Sequence, residues 1–140
     1  MKAKFLILYF ILYITSCSSL DVLGYKNLGN HYFIWEGDHY KYSIIWTPDD
    51  SHAKVGGTLV ISDVVKYDYN KIFIITKTTE YKTSKDSINK FWLINKSRVI
   101  DFNKKNWDGI LIGPLDSLGL IKQMQQNKIE LKLKDVRPTK

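Results

Sequence analysis

The stretch GGTLVISDVVKYDYNKIFIITKTTEYK, Gly56 to Lys82, decides the fold class. It holds two runs rich in β-branched and aromatic residues, Thr58 to Tyr67 and Lys71 to Thr79, side chains that suit a pleated, half-buried surface. They are joined near Tyr69-Asn70, where asparagine favours a tight reversal. In the second run Ile72, Ile74 and Thr76 alternate with Phe73, Ile75 and Lys77. Apolar residues on both sides of one strand predict a central strand covered on both faces.

The flanking sequence continues the pattern. Upstream, HYFIWEGDHYKYSIIW (His31 to Trp46) reads as two strands around Glu36-Gly37-Asp38, with Tyr40, Tyr42 and Ile44 on one face of the second. Pro48-Asp49-Asp50-Ser51 ends that strand, because proline donates no ladder hydrogen bond and Asp and Ser favour turns. Downstream, Thr83 to Lys90 reads as a polar loop, and Phe91 to Ile94 with Val99 to Phe102 as arms of a hairpin. Asp116 is placed to cap a helix in which Leu115, Leu118, Ile121 and Met124 recur every third residue, a stripe expected to face a sheet. IELKLK, Ile129 to Lys134, alternates as a last half-buried strand. The fold class expected is α+β: an antiparallel sheet of about six strands with one C-terminal helix, Leu115 to Gln126, packed on it. Trp92 and Ile74 are expected to be buried.

The chain has 140 residues, enough for one domain, with 44% apolar and 25% charged residues, a balance that argues against wholesale disorder. Its net charge of +7 comes mostly from scattered lysines, a solvation pattern rather than a nucleic-acid patch.

The N-terminus supplies an address. Lys2 and Lys4 precede an apolar run of ten residues, Phe5 to Ile14, too short for a membrane span of ~20 but the right length for the core of a signal peptide. Ile14-Thr15-Ser16-Cys17 then resembles the lipobox of bacterial lipoproteins, in which the cysteine is diacylated and becomes the mature N-terminus. Cys17 is the only cysteine, so no intrachain disulfide competes for it. The expected division is residues 1–16 signal peptide, 17–29 lipid anchor and tether, and 30–140 a single globular domain. Ser18 after the acylated residue resembles the pattern that permits transfer to an outer membrane, so in a Gram-negative cell the chain is expected there, facing the periplasm. Export leaves no nucleic-acid partner.

Asn70-Lys71-Ile72-Phe73-Ile74, Phe91-Trp92-Leu93-Ile94 and Gly113-Pro114-Leu115 together resemble a family of small bacterial lipoproteins known as domain of unknown function 3997. The resemblance covers residues 60 to 134, with a longer segment in this chain from Ser97 to Ile112. It implies an envelope lipoprotein and carries over no catalytic residue.

Chemistry is sparse. His31, His39 and His52 with Asp38 are the residue types of a zinc site, but their spacing matches no metal motif. Asp49-Asp50 and Ser51-His52 sit in a turn sequence, and a triad is defined by three-dimensional roles rather than adjacency. Gly56-Gly57 precedes a strand, whereas a phosphate loop leads into a helix, so no cofactor is expected. Tyr32, Trp35, Tyr40, Tyr42 and Trp46 are the candidate ligand-facing aromatics, suited to stacking a glycan. The opposing expectation is that at least half of them form the core, since a domain this small and without disulfides must bury its large side chains. Function is expected to be that of a non-catalytic envelope binding module for a protein or glycan. The alternatives are a small envelope hydrolase, or an inhibitor or immunity-like protein.

Overall fold

A computed structural model describes residues 24–37, 41–48, 57–83, 86–98, 100 and 107–136. Four strands, β1 (Tyr25–Gly29), β2 (Tyr32–Glu36), β3 (Tyr42–Trp46) and β4 (Thr58–Ile61), pair antiparallel in that order as one sheet. A second antiparallel sheet has the order β8-β7-β6-β5-β9, from β5 (Val64–Tyr69), β6 (Phe73–Tyr81), β7 (Ser87–Asn95), β8 (Leu111–Leu115) and β9 (Lys134–Asp135). A helix, α1 (Ser117–Gln126), packs on the second sheet. The expected antiparallel strands with one C-terminal helix are present, but among the described residues they form nine strands in two sheets rather than about six in one.

The difference comes from the deciding stretch. Thr58 to Tyr67 is not one strand: the chain turns at Ser62-Asp63, with Asp63 at φ 56°, and passes from the edge of the first sheet into the second. The following hairpin is as expected. Asn70 Oδ1 accepts from the backbone N–H groups of Ile72 and Phe73, both at 2.8 Å, and closes the turn between β5 and β6. β6 is central, with Ile74 and Ile75 fully buried on its opposite faces. Ile72, before the strand begins, is exposed.

Ile74 and Ile94 face Tyr32, Ile34, Ile44 and Trp46 of the first sheet and form the larger core. Ile75 and Leu93, on the other face, meet Leu120, Ile129 and the partly buried Met124. Phe33 and Ile45, a directly opposed pair on the outer face of the first sheet, pack with Tyr25 and Trp35.

Several other sequence expectations are corrected. Tyr25–Gly29, assigned to the tether, is strand β1, anchored by the fully buried Leu28. It joins β2 through Asn30-His31, both at positive φ (52° and 68°), the geometry of a two-residue hairpin turn whose twist matches that of the strands. Ser87–Lys90, read as loop, is the first half of β7, and its polar side chains do not prevent it from pairing with Thr78–Tyr81. Phe91 to Ile94 pair with β6 on one side and with β8 on the other; of the expected hairpin arm, Val99 to Phe102, only the buried Ile100 lies among the described residues.

Asp116 does cap α1, accepting from Gly119 N at 2.7 Å. The apolar stripe is different, however: Leu118 and Ile121 are exposed and Leu120 is buried. Each step of three residues falls short of a full turn by about 60°, so a strict spacing of three winds around the helix instead of facing one side. Ile129, Leu131 and Leu133 point inward as expected, but only Lys134–Asp135 joins the ladder. Over the preceding residues Asp68 stands in for a strand partner, accepting from Lys132 N at 3.0 Å and Lys134 Nζ at 3.2 Å.

Candidate functional site

Where β4 leaves the first sheet and β5 enters the second, a cleft of about 410 Å³ opens, a volume in the range of small-molecule sites. Its wall is the continuous run Leu59, Val60, Ile61, Ser62 and Asp63, and its other side is built from Thr78, Thr79, Glu80, Lys90 and Trp92. Successive strand residues point to opposite faces, so a run of this kind presents the backbone edge of β4 to the cleft. β4 is the edge strand of its sheet.

The opposite side follows from the β6–β7 register. Thr78 opposes Lys90 and Thr76 opposes Trp92, which places Thr78, Glu80, Lys90 and Trp92 on one face by the period of two. Trp92 was expected to be buried; it is only partly so, because it stands at the margin of the inter-sheet core, where β4 turns away. Its indole Nε1 donates to Thr78 Oγ1 at 3.2 Å, which fixes the ring. The Lys90 ammonium pairs with the Glu80 carboxylate, and Asp63 pairs with Lys41 at 3.5 Å. Leu59 is 57% exposed. The cleft therefore offers an apolar wall, part of an indole face and an ion pair.

Hydrogen bonding to Lys90 and its charge hold the Glu80 carboxyl below its ordinary range, the opposite of the raised value a general acid needs. Ser62 and the threonines have no histidine or cysteine beside them in the lining. Among the described residues no three His, Cys, Asp or Glu side chains gather as a metal site.

Of the aromatic residues singled out by sequence, the structure brings Tyr32 and Trp46 together as a cross-strand pair, with Tyr42 against the same core, and not on a ligand-facing surface. Tyr32 and Trp46 are buried in the inter-sheet core, and Tyr42 packs against it partly buried. Trp35 lies on the opposite face of the first sheet. His31 is exposed at the β1–β2 turn, with its ring 6.0 Å from that of Trp46. Tyr40, Asp38, His39, His52, Asp49, Asp50, Ser51, Gly56 and Cys17 lie outside the described residues. Sequence reasoning missed Leu59, Glu80, Lys90 and Trp92 as neighbours. The alternation of Ile88, Lys90 and Trp92 was the available signal, hidden once Thr83 to Lys90 was read as loop.

A second cluster lies at the other end of the sandwich. Lys96 is 4% exposed, and its ammonium donates to Leu28 O and sits 5.5 Å from the Tyr69 ring centre. Tyr69 stacks on Tyr67 with ring centres 6.3 Å apart, and Lys26 lies over both rings. Asn30 Nδ2 donates to Lys96 O at 2.9 Å. These contacts tie the β1–β2 hairpin to the end of β7, and burial holds the Lys96 ammonium below its ordinary range.

The Tyr32 hydroxyl is buried with no hydrogen-bond partner, and burial pushes its pKa from 10 up to about 12. Between those values the unfolded chain loses this proton and the folded one keeps it, so stability falls as pH rises through the window. Relative to Tyr32→Phe, the wild type should lose roughly 1.4 kcal/mol by pH 11, one unit into that window, while at pH 7 the variant gains ~1 kcal/mol by removing an orphaned hydroxyl. Urea unfolding of both chains from pH 7 to 11 checks this; parallel curves would refute it.

No protein-family model, no curated protein and no solved structure matches this chain. Among the described residues no helix is long and apolar enough to cross a membrane.

Proposed function

We propose that this chain is a bacterial envelope lipoprotein of the small family it resembles, held to a membrane by acyl chains on Cys17, and that its domain is a non-catalytic binding module. In a Gram-negative cell the membrane is the outer one and the domain faces the periplasm. The ligand is an envelope protein or glycan taken at the cleft beside Trp92. The observation that carries the binding reading is the lining of that cleft, where an indole fixed by Thr78 stands beside an ion pair and no nucleophile is matched with a base. An indole face with adjacent hydrogen-bonding groups suits a sugar ring or an aromatic or aliphatic side chain. The anchor reading rests on the order Lys2, Lys4, the apolar run, and Ile14-Thr15-Ser16-Cys17; each buried methylene of an acyl chain adds ~0.8 kcal/mol to membrane binding.

Two experiments test the two halves. A clickable fatty-acid analogue fed to cells should label the wild type, and Cys17→Ala should be unlabelled and absent from the membrane fraction; equal labelling removes the anchor. Capture of envelope extract on the membrane-extracted protein should retain a component that Trp92→Leu releases, and retention unchanged by that substitution removes the cleft from the binding reading. Asp63 and Glu80 share the cleft, which favours a carboxylate-pair glycoside hydrolase as the second reading. Turnover of glycans abolished by Asp63→Asn or Glu80→Gln in a folded protein would establish that reading instead.

A further inference from the structure

The strands of the first sheet cross those of the second. β1 lies at one end of β6 and β7, where the Lys96 ammonium donates to Leu28 O and Lys26 sits over the Tyr67 and Tyr69 rings. β4 lies toward the other end, where it walls the cleft opposite Thr78, Glu80 and Lys90. The order β1 to β4 therefore steps along the β6–β7 ladder. The face of that ladder turned to the first sheet carries four opposed pairs, from Ile74–Ile94 to Glu80–Ile88. Cover fails along it: Ile74 and Ile94 are fully buried, Trp92 partly, and Ile88 is 38% exposed. The first sheet stops at β4, before the last pair is covered.

Among the described residues β4 is also the least guarded sheet edge. β1 carries the exposed Lys26 and a bulge between Asn27 and Gly29, β8 contains Pro114, and β9 has two residues. Such devices keep an edge from pairing. Thr58–Ile61 has neither a charge nor a proline. Its bulge at Val60 aims both Val60 and Ile61 toward the core, so Leu59 stands on the outer face, opposite Ile45. Among the described residues no further backbone hydrogen bond reaches β4 from outside its sheet. An edge strand presents its outward N–H and C=O groups in a row, and another extended backbone is what pairs such a row.

We propose that the cleft takes an extended segment of a partner protein, added to β4 as a fifth strand of the first sheet. The proposal rests on the cleft reading above and narrows its ligand from a protein or glycan to a polypeptide in β conformation. A strand beside β4 lies about 4.8 Å farther along β6–β7, and successive pairs on one face of that ladder are about 6.6 Å apart. One added strand therefore covers about the one pair left open, Glu80–Ile88. Its inward side chains meet Trp92 and Ile88, and the alternate ones lie beside Leu59, so the segment recognised is apolar or β-branched on both faces. Lys90 and Glu80 already neutralise each other and call for no charge in the segment. A second copy of this chain fits less well, because its own β6–β7 ladder would enter the same space beside β4.

The test uses the membrane-extracted full chain and a pool of capped peptides of about six residues, in which Val, Ile, Leu or Phe alternates with Thr. Bound peptide should slow hydrogen exchange at alternate amides from Thr58 to Ser62. N-methylation at alternate peptide positions should abolish binding in one phase, whose N–H groups face β4, and leave it intact in the other. Leu59→Lys puts a charge at an exposed edge position; it should keep the urea midpoint and weaken the peptide roughly tenfold or more. No binding by the pool, or equal tolerance of both methylation phases, overturns strand addition. An envelope component released by Trp92→Leu but kept by Leu59→Lys also overturns it and leaves the cleft standing. Retention indifferent to both substitutions overturns the cleft reading and the added strand with it. A dimer that Leu59→Lys dissociates assigns the edge to a second copy and overturns the partner segment.

Discussion

Ile74→Ala should destabilise the domain by about 4 kcal/mol, read as a lower urea midpoint with an unchanged slope. Ile74 has no exposed surface and sits on the central strand of the second sheet, facing the first. Its neighbours on that face include Ile94 from β7, directly opposite it, and Ile44 from the other sheet. Removing its outer carbons loses their transfer energy and leaves a cavity between two hydrogen-bonded sheets, neither of which collapses easily. Ile72→Ala is the internal control. By sequence periodicity Ile72 and Ile74 lie on one face, yet Ile72 precedes the strand and is 47% exposed, so its truncation should stay within ~0.5 kcal/mol. Equal losses at the two positions would refute the burial assigned to β6.

That pair of isoleucines shows where the sequence was legible. Alternation identified β6 as a central strand, and the turn chemistry of Asn70 located its hairpin, because both signals are local. The division into two sheets was not legible. Ser62-Asp63 interrupts strand-forming residues without glycine or proline, and its only mark is the weaker turn preference of Ser and of Asp, which takes φ 56° here. Ser87–Lys90 was hidden for a different reason. Its strand character comes from pairing with β6, reinforced by the Lys90–Glu80 ion pair and the contact of Thr79 Oγ1 with Asn89 Oδ1 at 3.1 Å, not from apolar periodicity. The cleft depends on both unseen features, since one wall is the β4–β5 crossing and the other is the β6–β7 ladder. Leu59, which periodicity places in a strand, is exposed because β4 is an edge. The aromatic cluster of Tyr32 to Trp46 was plain in sequence, but density along the chain does not report which face a ring occupies: Trp35 and Tyr32 fall on opposite faces of β2.

Gly113→Ala should cost about 3 kcal/mol and displace Trp92 from the cleft. Gly113 lies in edge strand β8 at φ 145°, a region closed to residues with a side chain without strain. A Cβ built there would stand 2.7 Å from Trp92 Cε3 and 2.9 Å from Phe91 O. The carbonyl belongs to the β7 backbone and yields little, so the indole is the neighbour able to move. Moving it breaks the Trp92 Nε1 to Thr78 Oγ1 hydrogen bond and alters the one aromatic face the cleft presents. The loss therefore has two sources, backbone strain and ring displacement, and a double-mutant cycle separates them. In a Trp92→Leu background, where a smaller, more flexible side chain replaces the rigid indole, Gly113→Ala should cost less than in the wild type, and the difference is the ring's share. The same cost in both backgrounds would place all the strain in the backbone and leave Trp92 independent of Gly113. A neutral Gly113→Ala would remove both terms. If the cleft holds its ligand through the indole, Gly113→Ala should also weaken capture of the envelope component in proportion to the ring's share, although residue 113 does not line the cleft.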